Sequence, residues 1–186
     1  MKLSYIVDQS FDNIKEVLKA KFEISDRTLL KLKLNNKILV NSNPCTNIKQ
    51  QIKIGDVVEV LFDSEEDNSN IIPTKIDLDI LYEDEWMIIL NKQAGLPIHP
   101  SMLHYEDSLS NGVRYYFEEI GLKKKIRPVN RLDKDTSGAV IFAKNEYIQE
   151  ALVRQMKSGN FVKEYIAVCD RYSKRKKWYN RCSNFS

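Results

Sequence analysis

The densest concentration of reactive side chains lies between Arg127 and Lys144. There Asn130-Arg131-Leu132-Asp133-Lys134-Asp135-Thr136-Ser137-Gly138 precedes the apolar run Ala139-Val140-Ile141-Phe142-Ala143. Arg131 and Asp133 are two apart, and on an extended stretch residues two apart point the same way, so the pair can share one pocket. A carboxylate beside a guanidinium stays ionised, which is the state a nucleophile or general base requires. The residues by themselves leave a second reading open. An Arg-x-Asp pair also serves as a structural ion pair, and Asp-x-Thr-Ser-Gly is common turn chemistry, in which short polar side chains hydrogen-bond the local backbone.

The elements that must hold this segment follow from the surrounding pattern. Ala139 to Ala143 reads as a strand, residues 146–157 as a helix, and Val162 to Val168 as a further strand, on which Tyr165 alone would be a core residue. Upstream, Trp86 to Asn91 reads as a buried strand ending at a turn punctuated by Gly95, Pro97 and Pro100, and residues 108–119 suit a helix. Within that turn His99 reads as a structural cap. Lys92 and Lys144 read as solvent-facing or phosphate-positioning. Strands and helices mix without a βαβ alternation, which predicts an α+β sheet rather than a doubly wound one.

Residues 1–62 read as a separate compact module. Ser10 can cap a helix starting near Phe11, with Ile14, Val17, Leu18 and Phe22 on its inner face. Ser25 can cap a second helix, with Leu29, Leu30 and Leu32 inside and Arg27, Lys31 and Lys33 projecting outward as a solvated face. Residues 37–41 and 57–62 read as strands. Residues 63–74 are polar and contain Pro73, which predicts a linker, with Glu65-Glu66-Asp67 as solvated spacer.

Composition narrows the class. The 186 residues are 42% hydrophobic and 30% charged, the profile of a soluble globular chain rather than a disordered one. No apolar run approaches the ~18 to 20 residues of a bilayer span, and the start reaches Asp8 too early for a secretory signal. Cys45, Cys169 and Cys182 are odd in number and far apart, fitting neither a disulfide framework nor a zinc site; a reducing cytoplasm is expected. The formal charge of +3 identifies no partner, because Arg171, Lys174, Arg175, Lys176, Lys177 and Arg181, with no acid among them, account for all of it. There is no internal repeat and no phosphate-binding Gly loop.

Taken whole, Asn130 to Gly138 with its apolar strand resembles the signature of the RluA-type pseudouridine synthases, His-Arg-Leu-Asp-x-x-Thr-Ser-Gly before an apolar strand. Two further stretches match in order. Asn91-Lys92-Gln93-Ala94-Gly95-Leu96-Pro97-Ile98-His99-Pro100 resembles the family's Lys-Pro-x-Gly-x-x-x-His-Pro turn, and Lys163-Glu164-Tyr165-Ile166-Ala167 its Lys-x-Tyr-x-Ala strand. Residues 1–62 resemble the RNA-binding domain of the ribosomal S-four type, and the likeness covers residues 10–170.

This resemblance implies a small αL-type RNA-binding module at 1–62, a linker at 63–74, and at 75–170 the N-terminal part of a mixed, mainly antiparallel catalytic sheet domain. The implied activity is isomerisation of uridine to pseudouridine in structured RNA (rRNA or tRNA), by a monomer without metal or other cofactor. Asp133 matches the catalytic aspartate. Arg131 matches the arginine that helps open the RNA helix and pairs with that aspartate, and Tyr165 the tyrosine that packs on the target base. Arg27, Lys31 and Lys33 become phosphate contacts, which position RNA without reading sequence. Flipping a nucleotide from its stack costs a few kcal/mol, and an aromatic platform returns ~1–3 kcal/mol per stacked base.

The sequence departs from the family pattern in three places. Asn130 stands where many relatives have His, but Asn also donates and accepts hydrogen bonds, so the change should be tolerated. Gln93 stands where many have Pro, which loosens a turn. After Asp170, residues 171–186 are basic, lack apolar period, and lack the family's Gly-Arg-x-His-Gln-Ile-Arg-like segment. They read as an anomalous tail from a truncation or frameshift. An unpaired strand edge at 162–168 and little activity are then expected. The alternative reading is an inactive remnant that retains only RNA binding.

Overall fold

Seven strands and four helices form among residues 1–168, the part of the chain that the computed structural model describes. In the first half, β1 (Lys2–Ile6), α1 (Ile14–Ala20), α2 (Asp26–Leu34), β2 (Ile38–Val40), β3 (Asn43–Pro44) and β4 (Val57–Leu61) give an antiparallel sheet ordered β1-β4-β2-β3. Ile14, Val17 and Leu18 of α1 and Leu29 and Leu32 of α2 pack with Ile38, Val58 and Val60 into one core.

The caps set the helix starts. Asn13 rather than Ser10 begins α1, its side chain accepting the Glu16 N–H at 3.1 Å. Ser25 begins α2 as its sequence position predicts, accepting the Thr28 N–H at 3.2 Å. Leu30, expected inside, is 59% exposed, because the inner stripe of this short helix runs through Thr28, Leu29 and Leu32.

The second half contains β5 (Ile80–Glu83), β6 (Met87–Lys92), α3 (Leu109–Glu119), β7 (Gly138–Ala143) and α4 (Glu146–Ser158). Its sheet is antiparallel in the order β5-β6-β7, with β6 and β7 paired from Met87↔Ala143 to Lys92↔Gly138. Alternation divides the faces. Ile88, Leu90, Val140 and Phe142 are fully buried and pack with Leu109, Val113 and Phe117 of α3. Each such side chain contributes about 1.5–3 kcal/mol of transfer free energy. At Gly112 an added Cβ would lie 3.0 Å from Ile76, so the glycine lets the preceding chain cross α3 closely. The α+β class is as expected.

Four further expectations are corrected. The expected strand at 162–168 does not form. The outer edge of β7 is already taken by residues 127–130, through Val129 N–H to Ile141 carbonyl at 2.8 Å and Ala143 N–H to Arg127 carbonyl at 2.9 Å. Nor is Glu65-Glu66-Asp67 a uniformly solvated spacer. Glu66 accepts two hydrogen bonds from Arg127, at 2.7 and 2.8 Å, and one from Lys31 at 2.8 Å. Burial pushes the Glu66 carboxyl up, but these cations outweigh it and hold its pKa at about 2. Lys144 is neither solvent-facing nor free for phosphate: it is buried, donating to Glu83 at 2.7 Å and to the Asp84 carbonyl at 2.5 Å. The fourth, Lys92, belongs to the site below.

The two sheets are joined by polar contacts along α2 and α4. Glu150 accepts from the hydroxyls of Ser25 and Thr28, both at 2.9 Å, and Lys31 donates to Glu146 at 2.8 Å. The rings of Phe62 and Tyr147 meet at 5.1 Å between centroids. Among the described residues no helix is long and apolar enough to cross a membrane. The tail expected at 171–186 lies outside the described residues.

Candidate active site

The Asn130–Gly138 loop connects the β7 edge to β7 itself, and three anchors fix it. Asn130, buried, bridges the strand backbone: its amide donates to the Ala139 carbonyl and its oxygen accepts the Ile141 N–H, both at 2.9 Å. At the far end Gly138 adopts φ +129°, a conformation that L side chains rarely adopt.

The third anchor is Lys92. Its side chain is 1% exposed, and its ammonium donates to the carbonyls of Gln93 at 2.9 Å, Leu96 at 2.8 Å and Lys134 at 2.7 Å. The Lys134 carbonyl also accepts the Gly95 N–H at 2.9 Å. One buried cation thus ties the Lys92–Leu96 turn to the loop that carries Asp133. Burial lowers the Lys92 pKa, and the nearby carboxylates of Asp135 and Asp133 partly offset this. Neither solvent nor phosphate is its partner, which corrects the sequence expectation.

Asp133 is exposed on the anchored loop and opens its turn, its own carbonyl accepting the Thr136 N–H at 3.1 Å. Arg131 is exposed as well, and no ion pair joins it to Asp133. The expected pairing therefore does not form: residues 131–133 belong to no strand, so the two-residue alternation of a strand does not apply. Arg131 lies instead close to His99, where desolvation and then the Arg131 charge lower the imidazole pKa. His99 is exposed, and its side chain caps no backbone group among the described residues.

Beside the loop an open groove of about 710 Å³ runs over the second face of the sheet. Ile89, Ala139 and Ile141 of the sheet line it, together with Asp135, Thr136 and Tyr165. The aspartate lining it with Tyr165 is Asp135; Asp133 lies outside the lining. Tyr165 is 60% exposed and so is not a core side chain. Arg27 and Lys33 are exposed on α2 without ion-pair partners among the described residues, whereas Lys31 is held between Glu66 and Glu146. That placement removes Lys31 from the free phosphate contacts expected of it. No group of three or more His, Cys, Asp or Glu among the described residues is arranged to hold a metal ion.

Comparison with known proteins places these residues in a known lineage. A family model described as RNA pseudouridylate synthase matches residues 86–184, which includes both anchored turns and the groove. Ribosomal large subunit pseudouridine synthase D of Blochmanniella floridana is 33% identical over 139 residues, covering 73% of this chain and 43% of that protein. The uncharacterized RNA pseudouridine synthase YhcT of Bacillus subtilis is 34% identical over 161 residues, covering 87% of this chain and 53% of its own length. Among solved structures, human RNA pseudouridylate synthase domain containing 1 overlaps 44% of this chain and 28% of its own, at 26% identity and a TM-score of 0.36. The chain spans about half the length of the curated relatives it matches. With the family model covering more than half of its residues, the chain belongs to the RNA pseudouridylate synthase family, of the RluA type.

Proposed function

We propose that this chain isomerises uridine to pseudouridine in structured RNA of the ribosomal or transfer class, with Asp133 as the catalytic carboxylate. The observation that carries the reading is the anchored loop: the family's Arg-Leu-Asp-x-x-Thr-Ser-Gly segment stands exposed on a backbone fixed from both sides by Lys92 and Asn130. A group that must meet a reacting atom gains most when its support is rigid.

In this reading the target nucleotide leaves its stack and its base lies on Tyr165, with Arg131 close to the vacated position. Asp133 meets the nucleoside at the ribose or uracil. The C1′–N1 bond breaks, the uracil turns, a C1′–C5 bond forms, the proton on C5 is released and N1 takes up a proton from solvent. Specificity for one uridine rests on RNA shape as much as on base edges.

Residues 1–62 act in this proposal as an S-four-like RNA-binding module, with 63–74 as the connector and 75–170 as part of the catalytic domain. Arg27 and Lys33 supply phosphate contacts. Lys31 fixes the module against α4, so the basic face of α2 keeps a set position relative to the loop.

The test is release of tritium from RNA labelled at uracil C5. Release by the wild type and not by Asp133→Ala supports the isomerase. RNA binding with no release by the wild type supports the remnant reading and ends this one.

A further inference from the structure

Residues 63–68 are not a free tether between the two sheets. The Glu66 N–H donates to the Lys123 carbonyl at 3.0 Å. Asn68 is buried, its amide donating to the Lys124 carbonyl at 2.6 Å and its oxygen accepting the Ile126 N–H at 2.9 Å. The Lys124 ammonium in turn donates to the carbonyls of Phe62 at 3.0 Å and Ser64 at 2.8 Å. This stretch is therefore fastened along residues 123–126, which run directly into the edge segment 127–130.

Helix α2 is held from both flanks of the Asp133 loop. Ahead of the loop, Arg127 donates twice to Glu66, which also accepts from Lys31 of α2. Behind it, α4 follows β7, and its Glu146 accepts from Lys31 while Glu150 accepts from Ser25 and Thr28. Glu146 and Glu150, four apart, share one face of α4. The side chains of Arg127 and Glu66 are 9% and 12% exposed, and the second Glu150 oxygen is buried too. Contacts this sheltered are little screened by salt. Arg27 and Lys33, exposed on the same helix, are left outside them.

Resting on the reading of α2 as a phosphate-contacting helix and of Asp133 as the catalytic carboxylate, we propose that this clamp is a ruler that selects the uridine. Glu66, Lys124, Glu146 and Glu150 act as positioning residues: they hold Arg27 and Lys33 at one set distance from Asp133. The substrate class follows. It is an RNA folded so that a second stretch of backbone stands at that distance from the target uridine. Phosphate contacts carry no sequence information, so the distance between the two contacts is the information they supply. A second contact made by a rigid body acts at a high effective concentration where the span matches and at almost none where it does not. A flexible tether would spread the same contact over many spans.

The experiment compares the full 186-residue chain with its triple variant Lys124→Met/Glu146→Ala/Glu150→Ala. A glutamyl endopeptidase first reports whether the clamp is closed, since cleavage of a folded segment follows the population of its opened form. In the wild type the bond after Glu66 should outlast the bond after exposed Glu164, and in the variant it should be cut at least about tenfold faster than in the wild type. Both proteins then act on a transcript of large-subunit ribosomal RNA tritiated at uracil C5, with the pseudouridines mapped. The variant should show KM raised about tenfold, the part of a linked affinity that loosening removes, with kcat kept, the mark of lost binding rather than lost chemistry. It should also modify uridines that the wild type leaves alone. Should the triple variant not fold, Glu146→Ala/Glu150→Ala takes the same readouts, since alanine suits a helix.

An opened variant with wild-type KM and the wild-type pseudouridine position overturns the ruler and leaves the isomerase standing. So does a loss of kcat at unchanged KM, which would make the clamp a support of the fold alone. Wild-type cleavage after Glu66 as fast as after Glu164 overturns the ruler without reference to RNA. No tritium release by the wild type is a different failure: it ends the isomerase reading, and the ruler falls with it.

Discussion

The ammonium of Lys92 and the carbonyl oxygen of Lys134, 42 positions apart in sequence, meet at 2.7 Å beneath the loop that carries Asp133. A lysine that reads as a surface residue thus serves as the foundation of the proposed active site. Its three carbonyl acceptors belong to the two turns that the family pattern singles out.

Replacing Lys92 with Met keeps the length of the side chain and removes the cation. Three carbonyls then lose their donor, at a cost of about 3 kcal/mol, since hydrogen bonds to charged groups contribute more than neutral ones. Urea denaturation should show that loss, and tritium release should fall further than stability alone explains, because the loop loses its set position. A variant with wild-type turnover would mean that the anchoring does not matter.

Glu66 gives the fold a pH dependence of known sign. Its pKa is depressed from 4.5 to about 2 in the folded chain, so its contribution is complete above the unfolded value and is lost as pH falls through 4.5 toward 2. The loss amounts to about 2–3 kcal/mol. Denaturation midpoints at pH 7, 4.5 and 3 should decline accordingly. Glu66→Gln should be less stable than wild type at pH 7, because Arg127 is left buried without its partner, and should show a flatter decline. An equal slope in both proteins would remove Glu66 from the account.

Asn130→Ala leaves the Ala139 carbonyl and the Ile141 N–H without partners and should cost about 2 kcal/mol. Asn130→His restores one donor and one acceptor, so it should recover most of the stability and turnover lost in the Ala variant. Thermal melting of the three proteins checks the order; His no better than Ala would show that hydrogen bonding is not what this position supplies.

Much of this architecture was legible from residue order. Ser25 capped its helix where expected, and the apolar runs at 86–91 and 139–143 marked two strands of the second sheet, within which Ile88, Leu90, Val140 and Phe142 alternate into the core. The same alternation, carried one step on, points Lys92 and Lys144 inward. Charge argued for solvent, and pattern was the better guide. The strand at 162–168 misled because its composition suits a strand, whereas pairing needs a free edge and residues 127–130 occupy the one beside β7. β1 was missed because it alternates only between exposed and half-buried residues, a weak signal at the start of a chain. Local sequence was silent on the partners of Glu66 and Lys31, which come from distant parts of the fold.

Two aspartates flank Lys134, both exposed, and they stand in different places: Asp135 lines the groove that Tyr165 shares, and Asp133 lies outside it. Tritium release from C5-labelled RNA by wild type, Asp133→Ala and Asp135→Ala separates them. The account predicts release by the wild type, none above background from Asp133→Ala, and release from Asp135→Ala within about tenfold of wild type, the size expected of a group that only lines the site. Sustained release by Asp133→Ala, or loss confined to Asp135→Ala, would contradict it.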